Sequence, residues 1–225
     1  MATITVPVHQ DLLAEKKRQA AEFRAACAAA GTLVVNLVSS PGAGKTSLLQ
    51  ATARHWAGRV SAGVLVGDIA TERDAERLRP LLPVQQLTTG GACHLDVGLV
   101  QRGLTQLPNQ PFDVLFIENV GNLVCPASHD LGEHLRVVLL SVPEGDDKPG
   151  KYPKMFRTSH ALVITKTDLL PYVPFSPAAA IADAGLIQPQ LHCLEVCSLH
   201  NTGIQEWCAF LLERRRSLIA SGQRG

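Results

Sequence analysis

The chain has 225 residues, 46% of them hydrophobic and 18% charged, with a formal net charge of +1. This length fits one α/β domain with a full core. The hydrophobic content excludes a disordered chain, and the near-zero net charge excludes a nucleic-acid partner. No stretch approaches the roughly 18–20 apolar residues of a membrane span, and no signal-peptide pattern is present. We therefore expect a cytoplasmic protein without membrane contact, whose six sparse cysteines are mostly reduced.

Apolar runs alternate with helix-like patterns along almost the whole chain. Helices are predicted at about 10–30, 45–56, 72–80, 95–106, 177–184 and 203–216. Strands are predicted at 32–38, 63–68, 84–89, 112–119, 136–142, 160–166 and 191–197. Strands that are apolar on both faces and separated by helices are typical of the α/β class, with a mostly parallel sheet and helices on both faces.

The chain shows no internal repeat or linker, which predicts a single domain over residues 31–218. A helical extension, residues 1–30, is expected to pack on the outside of this domain, and residues 219–225 are expected to form a flexible tail. One polar stretch rich in Pro and Gly, residues 143–156, is predicted as a long loop, and such loops in compact domains tend to carry function.

The sequence directly after the first strand, SSPGAGKTS at 39–47, matches the phosphate-binding loop G-x-x-x-x-G-K-[ST] except at Ser39. The two glycines let backbone N–H groups face phosphate oxygens, the lysine reaches the β- and γ-phosphates, and the threonine can ligate Mg²⁺. A glycine-rich turn with a chance lysine is the competing interpretation. The predicted phosphate-binding residues are Pro41, Gly42, Ala43, Gly44, Lys45, Thr46 and Ser47.

A later strand is followed by ITKTDLL, 164–170, which is similar to the guanine-reading N/T-K-x-D element. The carboxylate of Asp168 can accept from both N–H groups of guanine, a pair that adenine does not offer. The stem of Lys166 would lie over the base, and Ser198 lies in VCSLHNTG, where GTPases place a loop behind the base. Thr165 stands where Asn is commoner. The competing interpretation is a surface aspartate that ends a strand.

A hydrolytic centre needs a carboxylate near Mg²⁺ and a glycine that senses the γ-phosphate. FIENVGN, 116–122, supplies Glu118 and Gly121 as a D-x-x-G switch written with glutamate. GDIATERD, 67–74, adds Asp68 and Asp74, and the sequence does not rank these two for the metal or the attacking water. With Lys45, the carboxylates form the predicted catalytic group.

TTGGACHLD, 88–96, places Cys93 and His94 after a strand, and Cys125 follows the switch glycine by four residues. Ligands collect at the carboxyl ends of parallel strands, so the three should meet the nucleotide at one sheet edge. Two thiols and an imidazole suit Zn²⁺ and Ni²⁺ and leave the fourth ligand open. For the Cys-His pair alone, a buried cysteine beside a solvent-facing histidine is the competing interpretation.

Taken together, these motifs resemble the HypB family of hydrogenase nickel-incorporation GTPases. The resemblance starts near residue 30 and includes ENVGNLVCPASHDLGE, EGDDKPGKYPKMF and NTGIQEW. It implies a GTPase that dimerises with GTP and delivers nickel to the large subunit of [NiFe]-hydrogenase, with a HypA-type zinc-binding partner. It also implies that Cys93, His94 and Cys125 form a metal site near the dimer interface, and that Lys148 lies near the nucleotide.

Some residues depart from the family pattern. Residues 1–30 contain only His9 and Cys27, neither a cysteine motif nor a histidine-rich store, so tight nickel storage is not expected. His129, four residues beyond Cys125, is a candidate additional ligand, although a surface role is the more ordinary one. Cys193 and Cys197 are interpreted as core or near-core thiols.

Other functions fit part of the pattern. A urease nickel-insertion GTPase shares the phosphate loop and the glutamate switch, but CHLD and NLVCPAS favour the hydrogenase branch. A small-molecule P-loop kinase would not need the TKTD element or thiols at the switch. A metal at the Cys/His group could also be a purely structural zinc. No arginine finger is identifiable, so slow intrinsic turnover is expected.

Overall fold

The computed structural model describes residues 8–68, 72–91 and 93–222. Its seven strands form one sheet in the order β3-β2-β4-β1-β5-β6-β7, and every neighbouring pair is parallel. The strands are β1 (Leu33–Ser39), β2 (Ala62–Asp68), β3 (Val84–Thr88), β4 (Val114–Gly121), β5 (Leu135–Ser141), β6 (Ala161–Thr165) and β7 (His192–Val196).

In the described part of the chain, eight α-helices connect and cover these strands. They are α1 (Val8–Ala29), α2 (Lys45–Trp56), α3 (Arg73–Leu78), α4 (Val97–Thr105), α5 (Lys148–Lys151), α6 (Pro153–Arg157), α7 (Pro177–Ile187) and α8 (Ile204–Gly222). Within the described ranges, no helix is long and apolar enough to cross a membrane.

The core lies on both faces of the sheet, as the doubly apolar strands predict. Every residue of β1 and β5 is buried. On one face, Leu33, Val35 and Leu37 of β1 pack in a cluster with residues of α2, α3 and α8. On the other face, Val34 packs with α1 and α4, while Val38 packs with α6 and α7. The predicted parallel α/β fold with helices on both faces is confirmed.

Helix α1 packs directly onto the domain, through Ala20, Phe23 and Cys27, which are all buried in the cluster shared with α4. Helix α8 continues to Gly222, so the predicted tail starts too early: residues 219–222 are helical. Residues 223–225 lie outside the described part of the chain.

The stretch 143–156 is not the irregular loop that its Pro and Gly content predicts. It contains part of the 3₁₀ helix Val142–Glu144, all of α5 and most of α6. Met155 and Phe156 of α6 are fully buried in the cluster with α7. Burial of this apolar pair fixes the segment, and Pro at the first turn of each helix is compatible with helix initiation.

Candidate nucleotide and metal site

The phosphate loop joins β1 to α2 and leaves the N-terminus of α2 facing a polar pocket. Gly42 and Gly44 have φ of +74° and +94°, which glycine adopts without strain. Gly44 is the N-cap of α2 and supplies no side-chain hydrogen bond to the first turn. Helix N-termini have backbone N–H groups without intrahelical partners and favour anions. The loop therefore has the geometry of a phosphate cradle.

Ser39, the departure from the phosphate-loop pattern, has a defined structural role. The Nζ of the buried Lys45 donates to Ser39 Oγ at 2.9 Å, and Ser39 Oγ donates to the carbonyl oxygen of Ser40 at 2.6 Å. The serine hydroxyl thus holds the ammonium group of Lys45 at the edge of a pocket. This pocket, the phosphate pocket, is lined by Lys45, Thr46 and Glu118.

Glu118, in the second half of β4, faces the phosphate loop. Thr46 Oγ1 donates to Glu118 Oε1 at 2.7 Å, while the buried Oε2 has no hydrogen-bond partner among the described residues. Burial raises the pKa of Glu118 to about 7, and the ammonium of Lys45 acts in the opposite direction. A buried carboxylate with an unpaired oxygen beside a threonine hydroxyl provides oxygen ligands of the kind that Mg²⁺ prefers. These residues therefore fit a magnesium ion.

The second candidate carboxylate comes from α3. Asp74 lines the same pocket with Arg77, and the two side chains lie 3.6 Å apart as an ion pair. The charge of Asp74 also contributes to the raised pKa of Glu118, after burial. The backbone of Asp68 ends β2, but its side chain lies outside the described part of the structure. Asp74 is thus brought to the phosphate pocket, and the role of Asp68 remains a prediction.

Gly121 allows β4 to reach the phosphate loop. It pairs with Ser39 of β1, and a Cβ atom built on Gly121 would lie 2.9 Å from both Cα and Cγ of Pro41. A side chain at this position would force the two backbones apart. The sequence interpretation of Gly121 as a phosphate-sensing switch remains a prediction, and its close approach to the loop is compatible with it.

A second pocket, called the base pocket below, adjoins the phosphate pocket and shares Gly44, Ser47 and Lys166 with it. It is lined further by Thr165, Asp168, Leu169, Ser198 and Leu199. Lys166 has φ of +59°, and Asp168 lies in the first turn of the following 3₁₀ helix. The residues predicted to read guanine are therefore brought together beside the phosphate loop.

Thr165, which stands where Asn is commoner, contacts the phosphate loop. The buried hydroxyl donates to the carbonyl oxygen of Ala43 at 2.6 Å. The bond connects the end of β6 to the phosphate loop. Threonine in place of Asn therefore still provides a polar contact between the phosphate pocket and the base pocket.

The sequence pattern does not predict Cys197 as a site residue, because its position at the end of an apolar strand indicates a thiol in the hydrophobic core. It is buried, but its thiol donates to Asp168 Oδ1 at 3.1 Å. The available signal was its position directly before Ser198. Cys193, the other thiol interpreted as core, is half-buried.

Lys148 lies in α5, and its ammonium is 5.3 Å from the ring centroid of Tyr152. It lines neither the phosphate pocket nor the base pocket of the described chain. Its predicted role near the nucleotide remains a prediction.

The fold brings Cys93 and Cys125 together from two separate loops. Their Sγ atoms lie 2.6 Å apart, both cysteines are reduced and half-buried, and Nδ1 of His94 lies 3.8 Å from Cys93 Sγ. The hydrogen bond with Cys125 raises the pKa of Cys93, and burial lowers the pKa of His94. The predicted pairing of the two loops is therefore present, although these three residues do not form a group whose ligand atoms all lie within 4.8 Å of one another.

His129 completes the cluster. Its ring stacks on His94 with centroids 3.6 Å apart, and its Nδ1 donates to the carbonyl oxygen of Cys125 at 2.8 Å. That bond leaves Nε2 of His129 with a lone pair, and a hydrogen bond at the other ring nitrogen is how proteins orient histidine ligands. The ring nitrogens of His129 and the two cysteine Sγ atoms do not all lie within 4.8 Å of one another, so the role of His129 as a further ligand remains a prediction.

A buried ion pair supports the Cys125–His129 turn. Arg136 and Glu133 lie 2.6 Å apart with side chains 7% and 4% exposed, and Arg136 also donates to the carbonyl oxygen of His129 at 2.7 Å. Asn36 of β1 donates to Glu133 at 3.1 Å. The turn that carries Cys125 is therefore anchored to the centre of the sheet.

Fold and site together define a P-loop nucleotide-binding protein whose phosphate loop lies beside a cysteine-histidine cluster. A sequence model described as CobW/HypB/UreG, nucleotide-binding domain, matches residues 33–194. The chain belongs to this family, in its HypB group of hydrogenase maturation factors.

Three relatives show how far the similarity extends. The hydrogenase maturation factor HypB of Azotobacter vinelandii is 46% identical over 210 residues, which are 93% of this chain and 69% of that protein. The crystal structure of HypB from Archaeoglobus fulgidus superposes with a TM-score of 0.83 at 38% identity, over 90% of this chain and 99% of that one. The structure of HypB from Helicobacter pylori in complex with nickel gives 0.86 at 38% identity, over 90% and 96%.

Proposed function

We propose that the chain is a GTP-hydrolysing metallochaperone that assists nickel insertion into [NiFe]-hydrogenase. The observation that carries the proposal is the continuous path from the phosphate loop to the cysteines. Gly121 abuts Pro41 of the phosphate loop, and the same strand end leads within four residues to Cys125, which contacts Cys93. A change at the phosphates can therefore reach one of the cysteines through a single short segment.

The nucleotide half follows from the two adjoining pockets. Asp168 accepts from both N–H groups of guanine, and the stem of Lys166 covers the base. Lys45 and the loop N–H groups bind the phosphates, and Thr46 and Glu118 would hold Mg²⁺, which when bound neutralises charge on the β- and γ-phosphates. Asp74 faces the same pocket and orients water through its carboxylate. Catalysis is positioning and electrostatic stabilisation, so intrinsic hydrolysis is slow.

The cargo half is the Cys93, His94 and Cys125 cluster, with His129 as the fourth ligand. Thiolates and imidazoles suit Ni²⁺ and Zn²⁺ alike. Support for nickel comes from the relatives: those named hydrogenase maturation factors, and the one solved with nickel. Hydrolysis shifts the segment after Gly121 and so moves Cys125 away from Cys93, which lowers the affinity for the ion, while Arg136 holds the far end of the turn at the carbonyl oxygen of His129.

The HypB relationship further supports a GTP-promoted homodimer that works with a HypA-type zinc-binding protein on the hydrogenase large subunit. Val124, directly before Cys125, is 62% exposed and is suited to lie at such a dimer contact. The predicted position of Lys148 across that contact belongs to the same proposal.

The decisive experiment is a metal titration by chelator competition, with Ni²⁺ and with Zn²⁺, in the GDP state and with a non-hydrolysable GTP analogue. We expect the affinity to differ between the two states, and Cys125→Ala to lower it by at least about tenfold while GTP binding persists. Cys193→Ala, a half-buried thiol on β7, is the matched control and should change neither. Equal affinity in both states would identify a structural metal site instead, and preference for ATP over GTP would indicate a kinase.

A further inference from the structure

A second group of metal-ligand atoms lies behind the predicted guanine site. Among the described residues, Asp168, Cys197 and His200 form the one group of three or more whose ligand atoms all lie within 4.8 Å of one another. Asp168 is half-buried, Cys197 is buried and His200 is exposed. We propose that this triad binds a Zn²⁺-like divalent cation, and that the bound cation antagonises guanine nucleotide binding.

The donor set and the spacing fit such an ion. A tetrahedral Zn²⁺ with bonds of roughly 2.0–2.3 Å holds its ligand atoms roughly 3.3–3.8 Å apart. The Cys197 Sγ to Asp168 Oδ1 distance is already 3.1 Å, so only small side-chain movements are needed to admit the ion. One thiolate, one imidazole and one carboxylate are a three-ligand set that Zn²⁺ accepts, with water as the fourth ligand. Binding deprotonates Cys197, and its proton passes to solvent.

The loop that carries two of the three ligands is closed by its own backbone. Cys197 and Thr202 exchange both hydrogen bonds, at 2.9 and 3.1 Å, as an isolated antiparallel bridge. Asn201 and Gly203 turn the chain with φ of +57° and +71°. His200 is thereby held on the same short turn as Cys197, and its exposed ring gives an ion a route from solvent.

The antagonism follows from the shared carboxylate. The base pocket is lined by Asp168 and Ser198, whereas Cys197 lies behind Asp168 and contacts Oδ1. In the function proposed above, on which this second part rests, Asp168 accepts two N–H groups of guanine. A divalent cation on one of its oxygens repels those positively polarised donors and neutralises the charge that attracts them. A cell with excess metal would thus hold the protein free of nucleotide.

The test uses the full chain carrying Cys93→Ala and Cys125→Ala, so that the first cluster cannot bind. In this background, without nucleotide, we expect one Zn²⁺ per chain by chelator competition. Cys197→Ser and His200→Ala, added separately, should each lower the affinity at least about tenfold. His55→Ala, an exposed histidine at the end of α2, is the matched control and should leave it unchanged. Zn²⁺ affinity that is indifferent to both ligand variants would overturn the site.

The second measurement is GDP affinity by calorimetry in excess Mg²⁺, with and without saturating Zn²⁺. We expect Zn²⁺ to weaken GDP binding about tenfold or more in the background protein and not in its His200→Ala form. An equal effect in both proteins would assign the loss to Zn²⁺ on the phosphates and overturn the antagonism. The first titration contains no nucleotide, so its result does not depend on the proposed guanine specificity. That specificity is tested separately by measuring nucleotide affinity in Asp168→Asn.

Discussion

The nucleotide pocket and the cysteine-histidine cluster are built differently, although they share one edge of the sheet. The phosphate loop is held by two hydrogen bonds between buried groups, Thr165 to Ala43 and Lys45 to Ser39, and by the close approach of Gly121 to Pro41. The cluster instead joins two loops through half-buried side chains at their tips. A rigid cradle suits a ligand that must be bound in one geometry, whereas side chains on two separate loops suit the proposed release of an ion.

The two arms of the cluster also differ from each other. The Cys125 arm is tied to the sheet at its far end by the buried Arg136–Glu133 pair, and at its near end Oδ1 of Asn122 accepts from the N–H of Val124 at 2.7 Å. The Cys93 arm follows Gly90 and Gly91, both with positive φ. The glycine pair makes the Cys93 arm the more adaptable of the two.

The largest effect is expected from removing the buried ion pair that holds the Cys125 arm. Arg136→Met leaves the carboxylate of Glu133 buried without its cation, which should lower the free energy of unfolding by about 3–5 kcal/mol. Urea denaturation measures this loss. Adding Glu133→Gln to the same chain should restore most of it, because the uncompensated charge is removed. If the single variant is as stable as the parent, the pair does not anchor the turn.

Changing the base pocket should affect binding without affecting the cluster. Asp168→Asn replaces an acceptor with a donor opposite guanine, and we expect GDP affinity to fall about 10- to 100-fold. Calorimetry with GDP and ADP measures both affinities. The already weak affinity for ADP should not fall when the affinity for GDP does. Asp183→Asn, an exposed aspartate on α7, is the control. A parallel loss for both nucleotides would show that Asp168 is structural.

A smaller effect is expected at the tether between the two halves of the nucleotide pocket. Thr165→Ala removes one buried hydrogen bond to Ala43, which is worth about 1 kcal/mol, or roughly a fivefold loss of GDP affinity. Thr165→Ser keeps the hydroxyl and should recover the affinity. Failure of serine to do so would assign the effect to the lost methyl group.

The smallest effect should come from the opposite edge of the sheet, where β5 and β6 begin. His134 Nδ1 accepts from the N–H of Val34, and His160 Nδ1 accepts from that of Arg136, so both histidines are neutral in the folded chain. Burial lowers both pKa values from 6.5. Stability is therefore complete above pH 6.5 and falls as pH decreases through the lowered pKa values, because the unfolded chain binds protons first.

Urea denaturation at a series of pH values measures this dependence. His160→Asn offers a non-titrating acceptor in place of Nδ1 and should reduce the slope of stability against pH, whereas His200→Ala should not. An unchanged slope in His160→Asn would contradict the assignment.

The sequence predicted the sheet and the phosphate loop well because both depend on local pattern. Helix α2 lies where the GKTS run predicts it, and Cys93 and Cys125 meet because strand ends share an edge. The contact of Cys197 with Asp168 could not be predicted, since it depends on how a turn folds back in three dimensions. The helices within 143–156 were missed because burial of Met155 and Phe156 outweighs the local Pro and Gly preference.

The stacked histidines lie on two separate short segments, which bears on how the proposed site would hold an ion. In the proposed metal site, Cys93 with His94, and Cys125 with His129, would be two chelating arms, each carrying one sulfur and one nitrogen donor on a short piece of chain. Once one arm binds, the second binds at the high effective concentration that the fold imposes, so affinity depends more on the distance between arms than on any single ligand. A small increase in the distance between the arms would then lower the occupancy of the ion steeply. The same loss of avidity occurs when a bivalent ligand can no longer span its two sites.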